Sequence, residues 1–143
     1  MKKLIILRGH QGSGKSTYAK QLLKGFELSY SGAATFEVSY DDTLVREKDG
    51  KYIWTPENIT SAMEIAWKEY MEFVKDHIKK DENVLVVHSA TNRTLKSFKK
   101  YIDFAKARKY EIEIIRLSDF YENEHNCSDR IVAETFVTIE QNP

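Results

Sequence analysis

The chain has one cysteine, Cys127, in 143 residues. No intramolecular disulfide can form within it and no thiolate-bound metal cluster can be built. It has no excess of either charge, with 22 basic side chains against 22 acidic ones. That balance excludes binding of duplex DNA by bulk positive charge and leaves any nucleic-acid contact to a local patch. Long apolar runs are missing as well. Leu4 to Leu7 is far too short to cross a bilayer, and Lys2-Lys3 ahead of it do not turn it into a secretory signal. No repeat, low-complexity tract or interdomain linker interrupts the sequence, so residues 1–143 read as one domain with length enough for a core. The expectations are a reducing, cytoplasmic setting and no membrane partner. Oligomeric state is left open.

What the chain does have is Gly9-His10-Gln11-Gly12-Ser13-Gly14-Lys15-Ser16. This is a complete G-x-x-x-x-G-K-[ST] P-loop, lying between a short apolar run and a helical pattern as that motif requires. Gly9, Gly12 and Gly14 let the backbone turn tightly and approach phosphate with no Cβ in the way. The N–H groups of such a loop, Ser13 among them, form a concave anion nest, and the following helix aims its positive end at the same place. Lys15 is expected to reach the β- and γ-phosphates and Ser16 to ligate Mg²⁺. Thr17 supports the helix or an α-phosphate. The expected ligand is a nucleoside triphosphate with Mg²⁺. No Asn-Lys-x-Asp guanine signature is present, which favours ATP.

Periodicity sets the remaining elements. Strands are expected over 3–8, 35–39, 84–88 and 111–117, the first and third as buried runs, and helices over 15–24, about 55–80, 94–109 and 129–141. Gly25 reads as the end of the first helix, and residues 26–34 as a loop. Asp49-Gly50 reads as the turn of a small hairpin or ordered loop within 46–55. Thr55-Pro56-Glu57 reads as a helix start, with Ile59, Met63, Ala66, Tyr70, Phe73 or Val74, and Ile78 on its inner stripe. In the next helix Leu95, Phe98, Ile102 and Ala105 are expected inward. Strands alternating with helices imply an α/β fold with a mainly parallel four-stranded sheet, order 2-3-1-4. In such a sheet ligands bind beyond the carboxyl ends of the strands. That rule selects the P-loop, Asp41 and Asp42, then Ser89, Thr91 and Asn92, then Arg116 and Asp119.

Asp41 is the second informative residue. A hydroxyl that accepts a phosphoryl group must lose its proton, and a carboxylate beside the γ-phosphate can take it. The same carboxylate could instead hold Mg²⁺ through water. The opening Met1 to Leu7, the loop Gly12-Ser13-Gly14-Lys15-Ser16-Thr17 and Asp41-Asp42 together resemble the kinase domain of 5′-polynucleotide kinases and related P-loop kinase-like domains. Lys48-Asp49-Gly50-Lys51-Tyr52, Trp54-Thr55-Pro56 and Ala90-Thr91-Asn92 are similar to segments of the same relatives. The likeness covers nearly the whole chain. It implies a P-loop NTPase fold of the nucleoside-kinase type and transfer of the γ-phosphate of ATP to a hydroxyl, in the family a nucleic-acid 5′-OH. Asp41 matches the family's general base, and Lys15 and Ser16 match its ATP- and Mg²⁺-binding residues.

Three positions depart from the family. Leu44 stands where it has an arginine that contacts the acceptor phosphate, and Ala90 where it has that arginine's acidic partner. A joint loss of both charges implies a redesigned acceptor site. The family's lid arginines fall within His125 to Arg130 here, where Arg130 is the candidate for stabilising transition-state charge. Two alternatives stand beside a polynucleotide kinase: a nucleotide-binding regulatory or assembly module that phosphorylates no acceptor, and a small-molecule or nucleoside kinase. Tyr52 and Trp54 have the chemistry to stack a base, but packing on the core is the expectation for them. The basic run from Arg93 to Lys109 reads as a solvated helix face. His88 ends a buried strand near the cleft, where a hydrogen-bonded structural role is expected.

Overall fold

The computed structural model describes residues 1–119 and 129–142, with Asp129 by its backbone alone. Nine elements follow one another: β1 Lys2–Arg8, α1 Lys15–Ser29, β2 Ala34–Val38, α2 Tyr40–Glu47, α3 Pro56–Asp76, β3 Val84–His88, α4 Leu95–Lys106, β4 Glu111–Arg116 and α5 Asp129–Glu140. The strands form one sheet in the order β2-β3-β1-β4. Its pairings β1–β3, β1–β4 and β2–β3 are all parallel, with Ile6 opposite His88 and Arg8 opposite Arg116. The expected order and direction are therefore found.

Alternation along β1 divides the core into two layers. Leu4 and Ile6 face α3 and α4, where they join Val84, Val86, Tyr70, Val74, Phe98 and Tyr101. Ile5 and Leu7 face α1 and pack with Ala19, Leu85 and Val87, flanked by Leu22 and Phe26. Each aliphatic or aromatic side chain fully buried in these layers contributes roughly 1.5–3 kcal/mol. Both layers end at the carboxyl edge of the sheet, where the P-loop begins.

Helix α3 starts as its sequence dictates. Thr55 Oγ1 accepts from the Asn58 N–H at 3.0 Å and Pro56 opens the first turn. Its inward stripe is Ala62, Ala66, Tyr70 and Val74. Met63 is exposed, and Ile78 is exposed beyond the end of the helix at Asp76, so neither belongs to the stripe and Lys79-Lys80 lie past it. In α4, Leu95 is also exposed, and Tyr101 takes the inward place with Phe98 and Ala105.

Two expectations are corrected. Helix α1 does not stop at Gly25 but runs to Ser29, so residues 26–29 are helix and not loop. Phe26 packs under the sheet and its ring meets Tyr30 at 4.7 Å. That packing outweighs the roughly 0.5–1 kcal/mol cost of a mid-helix glycine. The second correction concerns residues 46–55: Arg46 and Glu47 belong to α2, and residues 48–55 form the ordered loop of the two alternatives and not the hairpin. Helix α2 continues to Glu47 because Thr43 and Leu44 are buried on its inner side. Asp49 (φ 55°) and Gly50 (φ 82°) then end the helix, and the Gly50 N–H returns to Val45 O at 2.9 Å. This is a left-handed C-terminal cap, the other structure that an Asp-Gly pair can make.

Candidate active site

The P-loop joins β1 to α1. Gly12 (φ 79°) and Gly14 (φ 88°) both adopt the left-handed conformation that glycine permits. The Ser13 N–H closes the loop on His10 O at 3.1 Å, and Lys15 Nζ donates to the same carbonyl at 3.0 Å. The first bond inside α1 is Tyr18 N–H to Gly14 O. The amides of Lys15, Ser16 and Thr17 thus precede the intrahelical ladder, at the positive end of the helix. Among the described residues no side chain caps that end and no acid lies in its first turn.

Gly9 is required by space. A Cβ on it would collide with Ser13 Oγ and lie 2.9 Å from the backbone oxygen of Leu117. The Ser13 hydroxyl is itself buried with no hydrogen-bond partner among the described residues. Ser16 and Thr17 are solvent-exposed on the first turn of α1. Two left-handed glycines, the first amides of a helix, a lysine and an exposed hydroxyl are the donor set that a Mg²⁺-bound polyphosphate needs. The residues present fit that group.

The loop after β3 anchors the P-loop from the side. The Gly9 N–H donates to Thr91 O at 3.3 Å. Asn92 sits at φ 52° and its Nδ2 donates to Leu7 O at 2.8 Å and meets His88 Nδ1 at 3.1 Å. Arg8 answers in the opposite direction: its Nε donates to Asn92 O and its Nη2 to Arg93 O, each at 2.9 Å. Burial, and then the neighbouring charge of Arg116, lower the pKa of the Arg8 guanidinium. His88 is fully buried, its Nε2 3.2 Å from the Tyr40 hydroxyl, which donates on to Tyr101 Oη at 3.1 Å. Burial holds the His88 pKa down at about 3. It is a structural residue, as its position at the end of a buried strand implied.

Asp41 lies in the first turn of α2, directly beyond β2, and its Oδ1 accepts from the Tyr52 hydroxyl at 3.2 Å. The helix cap is Ser39, whose Oγ accepts from the Asp42 N–H at 3.2 Å, so neither aspartate serves as the cap. Lys20 stands one helical turn after Ser16 and connects the two regions. Its Nζ lies 3.2 Å from Glu37 Oε1 and 3.7 Å from Asp42 Oδ2. Burial alone would lower the Lys20 pKa, but the two carboxylates outweigh it and raise it. Glu37 also accepts from Ser89 Oγ at 2.8 Å.

Sequence reasoning missed Glu37. It lies inside a strand, and only its alternation with inward-facing Phe36 and Val38 could have drawn notice. Together with Ser39, Asp42, Arg46 and Glu69 it lines a concavity at the β2 edge that none of the P-loop residues enters.

The acceptor-side departures are structural. Leu44 is fully buried. Arg46 binds Glu69 Oε1 at 2.7 Å and lies 3.6 Å from Glu47. Arg130 extends from α5 with 87 % of its side chain exposed and donates to Glu134 Oε1 at 2.9 Å. His125, Cys127 and Ser128 lie outside the described residues. Helix α5 rests on the loops around the P-loop: Phe136 meets His10 edge-on at 5.6 Å, Thr135 accepts from Arg93 and Glu140 pairs with Arg116. Two of the four lysines of α4 and one arginine just past it make specific contacts. Lys99 pairs with Asp103, Lys100 lies 4.6 Å from the Trp67 ring, and Arg108, just past the helix, lies 3.6 Å from the Phe104 ring. They cover aromatic surface.

One family model, AAA_33, described as an AAA domain, matches residues 4–133. The chain belongs to that family. An uncharacterized protein of Pasteurella multocida (strain Pm70) is 28 % identical to this AAA_33 domain over all of it and 79 % of the relative's own length. Among solved structures, the APS kinase CysC of Mycobacterium tuberculosis superposes over 97 % of both chains, with TM-score 0.51 and 15 % identity. The AvrRxo1-ORF1:-ORF2 complex with ATP superposes over 97 % of this domain and 47 % of the other chain, with TM-score 0.57 and 16 % identity. At such identities the superpositions speak for the fold alone, which is that of P-loop kinases. Among the described residues no helix is long and apolar enough to cross a membrane.

Proposed function

We propose that this AAA_33 domain is an ATP-dependent phosphotransferase with an alcohol acceptor, most consistent with a 5′-OH end of a polynucleotide. The observation that carries the reading is the pairing of a complete P-loop with Asp41. That carboxylate stands beyond β2, at the same carboxyl edge of the sheet as the P-loop and one strand removed from β1, next to the Asp42 that Lys20 links to the first turns of α1. A P-loop alone would serve any NTPase. A carboxylate beside it adds the one group that alcohol phosphorylation needs and nucleotide binding does not.

In this reading the glycine loop and the α1 amides bind the phosphates, Ser13 lends its hydroxyl to the cradle, and Lys15 leaves the His10 carbonyl for the β- and γ-phosphates. Ser16 would hold Mg²⁺, which when bound draws off charge from the phosphate oxygens. Asp41 takes the acceptor proton, held in orientation by Tyr52. Arg130 would have to exchange Glu134 for phosphate to act as the charge-stabilising arginine.

A second reading, a nucleotide-dependent regulatory module, draws on the acceptor side. Leu44 is buried and Arg46 is held by Glu69, so α2 presents no arginine to an acceptor phosphate among the described residues. Labelled ATP with Mg²⁺, offered to 5′-OH oligonucleotides, nucleosides and polyols, separates the readings. Transfer should fall by roughly 10²–10⁴-fold in Asp41→Asn with ATP still bound, and ATP binding itself should be lost in Lys15→Ala. Tight ATP binding with no acceptor labelled, and no effect of Asp41→Asn, would refute the kinase. Labelling of nucleosides or polyols but not of oligonucleotides would make it a small-molecule kinase.

A further inference from the structure

The segment joining α2 to α3 carries the most exposed aromatic surface near Asp41. Tyr52, Ile53 and Trp54 are 36 %, 45 % and 56 % exposed, which corrects the expectation that Tyr52 and Trp54 pack on the core. Exposed rings usually belong to loose segments, but this one is pinned at several points. The Gly50 N–H is held by Val45 O and the Lys51 N–H by Lys48 O. Asn58 Nδ2 donates to Ile53 O at 3.0 Å, and Thr55 caps α3. The Tyr52 hydroxyl reaches Asp41 itself. A fixed apolar surface exposed to water costs free energy, and two exposed rings on an anchored segment, one of them bonded to a carboxylate, fit a ligand better than they fit water.

Charge narrows the ligand. Lys48 and Lys51 precede the rings in the same segment, with Asp49 and Gly50 between them. Aromatic side chains next to lysines are the composition that stacks bases and follows a phosphate backbone. A linear polyol offers no flat face to stack on a ring as a nucleobase does, and an acidic small molecule would need only the lysines.

We infer that residues 48–55 form the acceptor-recognition element of the site, with Tyr52 and Trp54 as a stacking platform for a nucleobase of the acceptor. This rests on the reading of Asp41 as the group that receives the acceptor hydroxyl, and it makes Trp54 a specificity-determining residue of that site. Tyr52 has two parts: its ring binds, and its hydroxyl positions Asp41. Because the segment is anchored before ligand arrives, little ordering cost is charged against stacking.

Trp54 supplies its own reporter. In a Trp67→Phe background, where the other tryptophan is silenced, the donor site is first saturated with a non-hydrolysable ATP analogue. Trp54 fluorescence is then followed on adding thymidine, a 5′-OH dithymidylate or a ring-free polyol. Thymidine and dithymidylate should quench saturably and the polyol should not. By calorimetry, Trp54→Ala should weaken dithymidylate binding on the order of tenfold or more. In turnover, Trp54→Ala should raise the acceptor KM, whereas Tyr52→Phe should spare KM and lower kcat.

Equal responses to polyol and nucleoside, unchanged affinity in Trp54→Ala, or disappearance of the thymidine signal once the donor site is filled would each overturn the assignment. The binding arm needs no phosphoryl transfer. Stacking without transfer would refute the kinase and leave the platform standing. Transfer to a polyol without stacking would do the opposite.

Discussion

Acidification should weaken this fold through His88. The ring is fully buried, with Nδ1 against the Asn92 amide nitrogen and Nε2 against the Tyr40 hydroxyl. An amide nitrogen only donates, so Nδ1 must accept, and the neutral ring with its proton on Nε2 is the form that fits. Burial depresses the native pKa to about 3 from the ordinary 6.5, and the charge of Lys100 adds to the depression. Above pH 6.5 native and unfolded chains are both neutral at this position and the stability is fully present. Below 6.5 the unfolded chain takes up a proton that the native protein refuses until the pH nears 3, so stability is lost across that window. At pH 5 the loss is about 2 kcal/mol, at about 1.4 kcal/mol per unit below the unfolded value. That figure requires only that the native pKa lie well below 5. Urea unfolding at pH 7.5, 6 and 5 measures it, with His88→Gln as the non-titrating reference. The wild-type midpoint should fall relative to the variant by roughly 1 M at pH 5. Parallel profiles would refute the reasoning, as would an NMR titration of the His88 ring with a midpoint near 6.

Three further substitutions test other parts of the structure. Asn92→Ala removes buried donors from Leu7 O and His88 Nδ1 and puts alanine at φ 52°; it should cost about 2–4 kcal/mol by denaturant unfolding, and a cost below about 0.5 would refute the described network. Gly25→Ala meets nothing within 4 Å on the outer face of α1 and should stabilise by about 0.5–1 kcal/mol, seen as a raised Tm. Gly9→Ala should cost about 1–3 kcal/mol by overpacking against Leu117 O and Ser13, and should weaken titration of a fluorescent ATP analogue; unchanged affinity would show that the loop has room to move.

Strand order and direction were legible because β1 and β3 are short apolar runs, β2 and β4 are short alternating ones, and helical periods separate them. The P-loop was legible because its motif is local. What eluded sequence reasoning depended on distant partners. Gly25 reads as a stop until Phe26 is seen packed under the sheet. Asp49-Gly50 reads as a hairpin turn until Val45 is seen receiving the returning N–H. Leu95 and Met63 fit the helical period but lie at the margins of their stripes, where the covering element ends. Glu37 was missed, since its meaning comes from Lys20 on one helix and Ser89 in the loop after another strand. Tyr52 and Trp54 were misjudged because aromatic composition by itself favours burial.

The exchange between Arg8 and Asn92 has a kinetic consequence. Each residue's side chain holds backbone of the other's segment, Arg8 on Asn92 O and Asn92 on Leu7 O. Neither segment can open alone, since releasing one strips buried bonds from both. The root of the phosphate loop therefore has no cheap fraying mode and joins the most slowly exchanging part of the protein. In deuterium exchange the Gly9 amide, bonded to Thr91 O, should follow global unfolding. A cradle that never locally opens is already shaped when nucleotide arrives, so the rate of capture is set by encounter and not by rearrangement of the loop root.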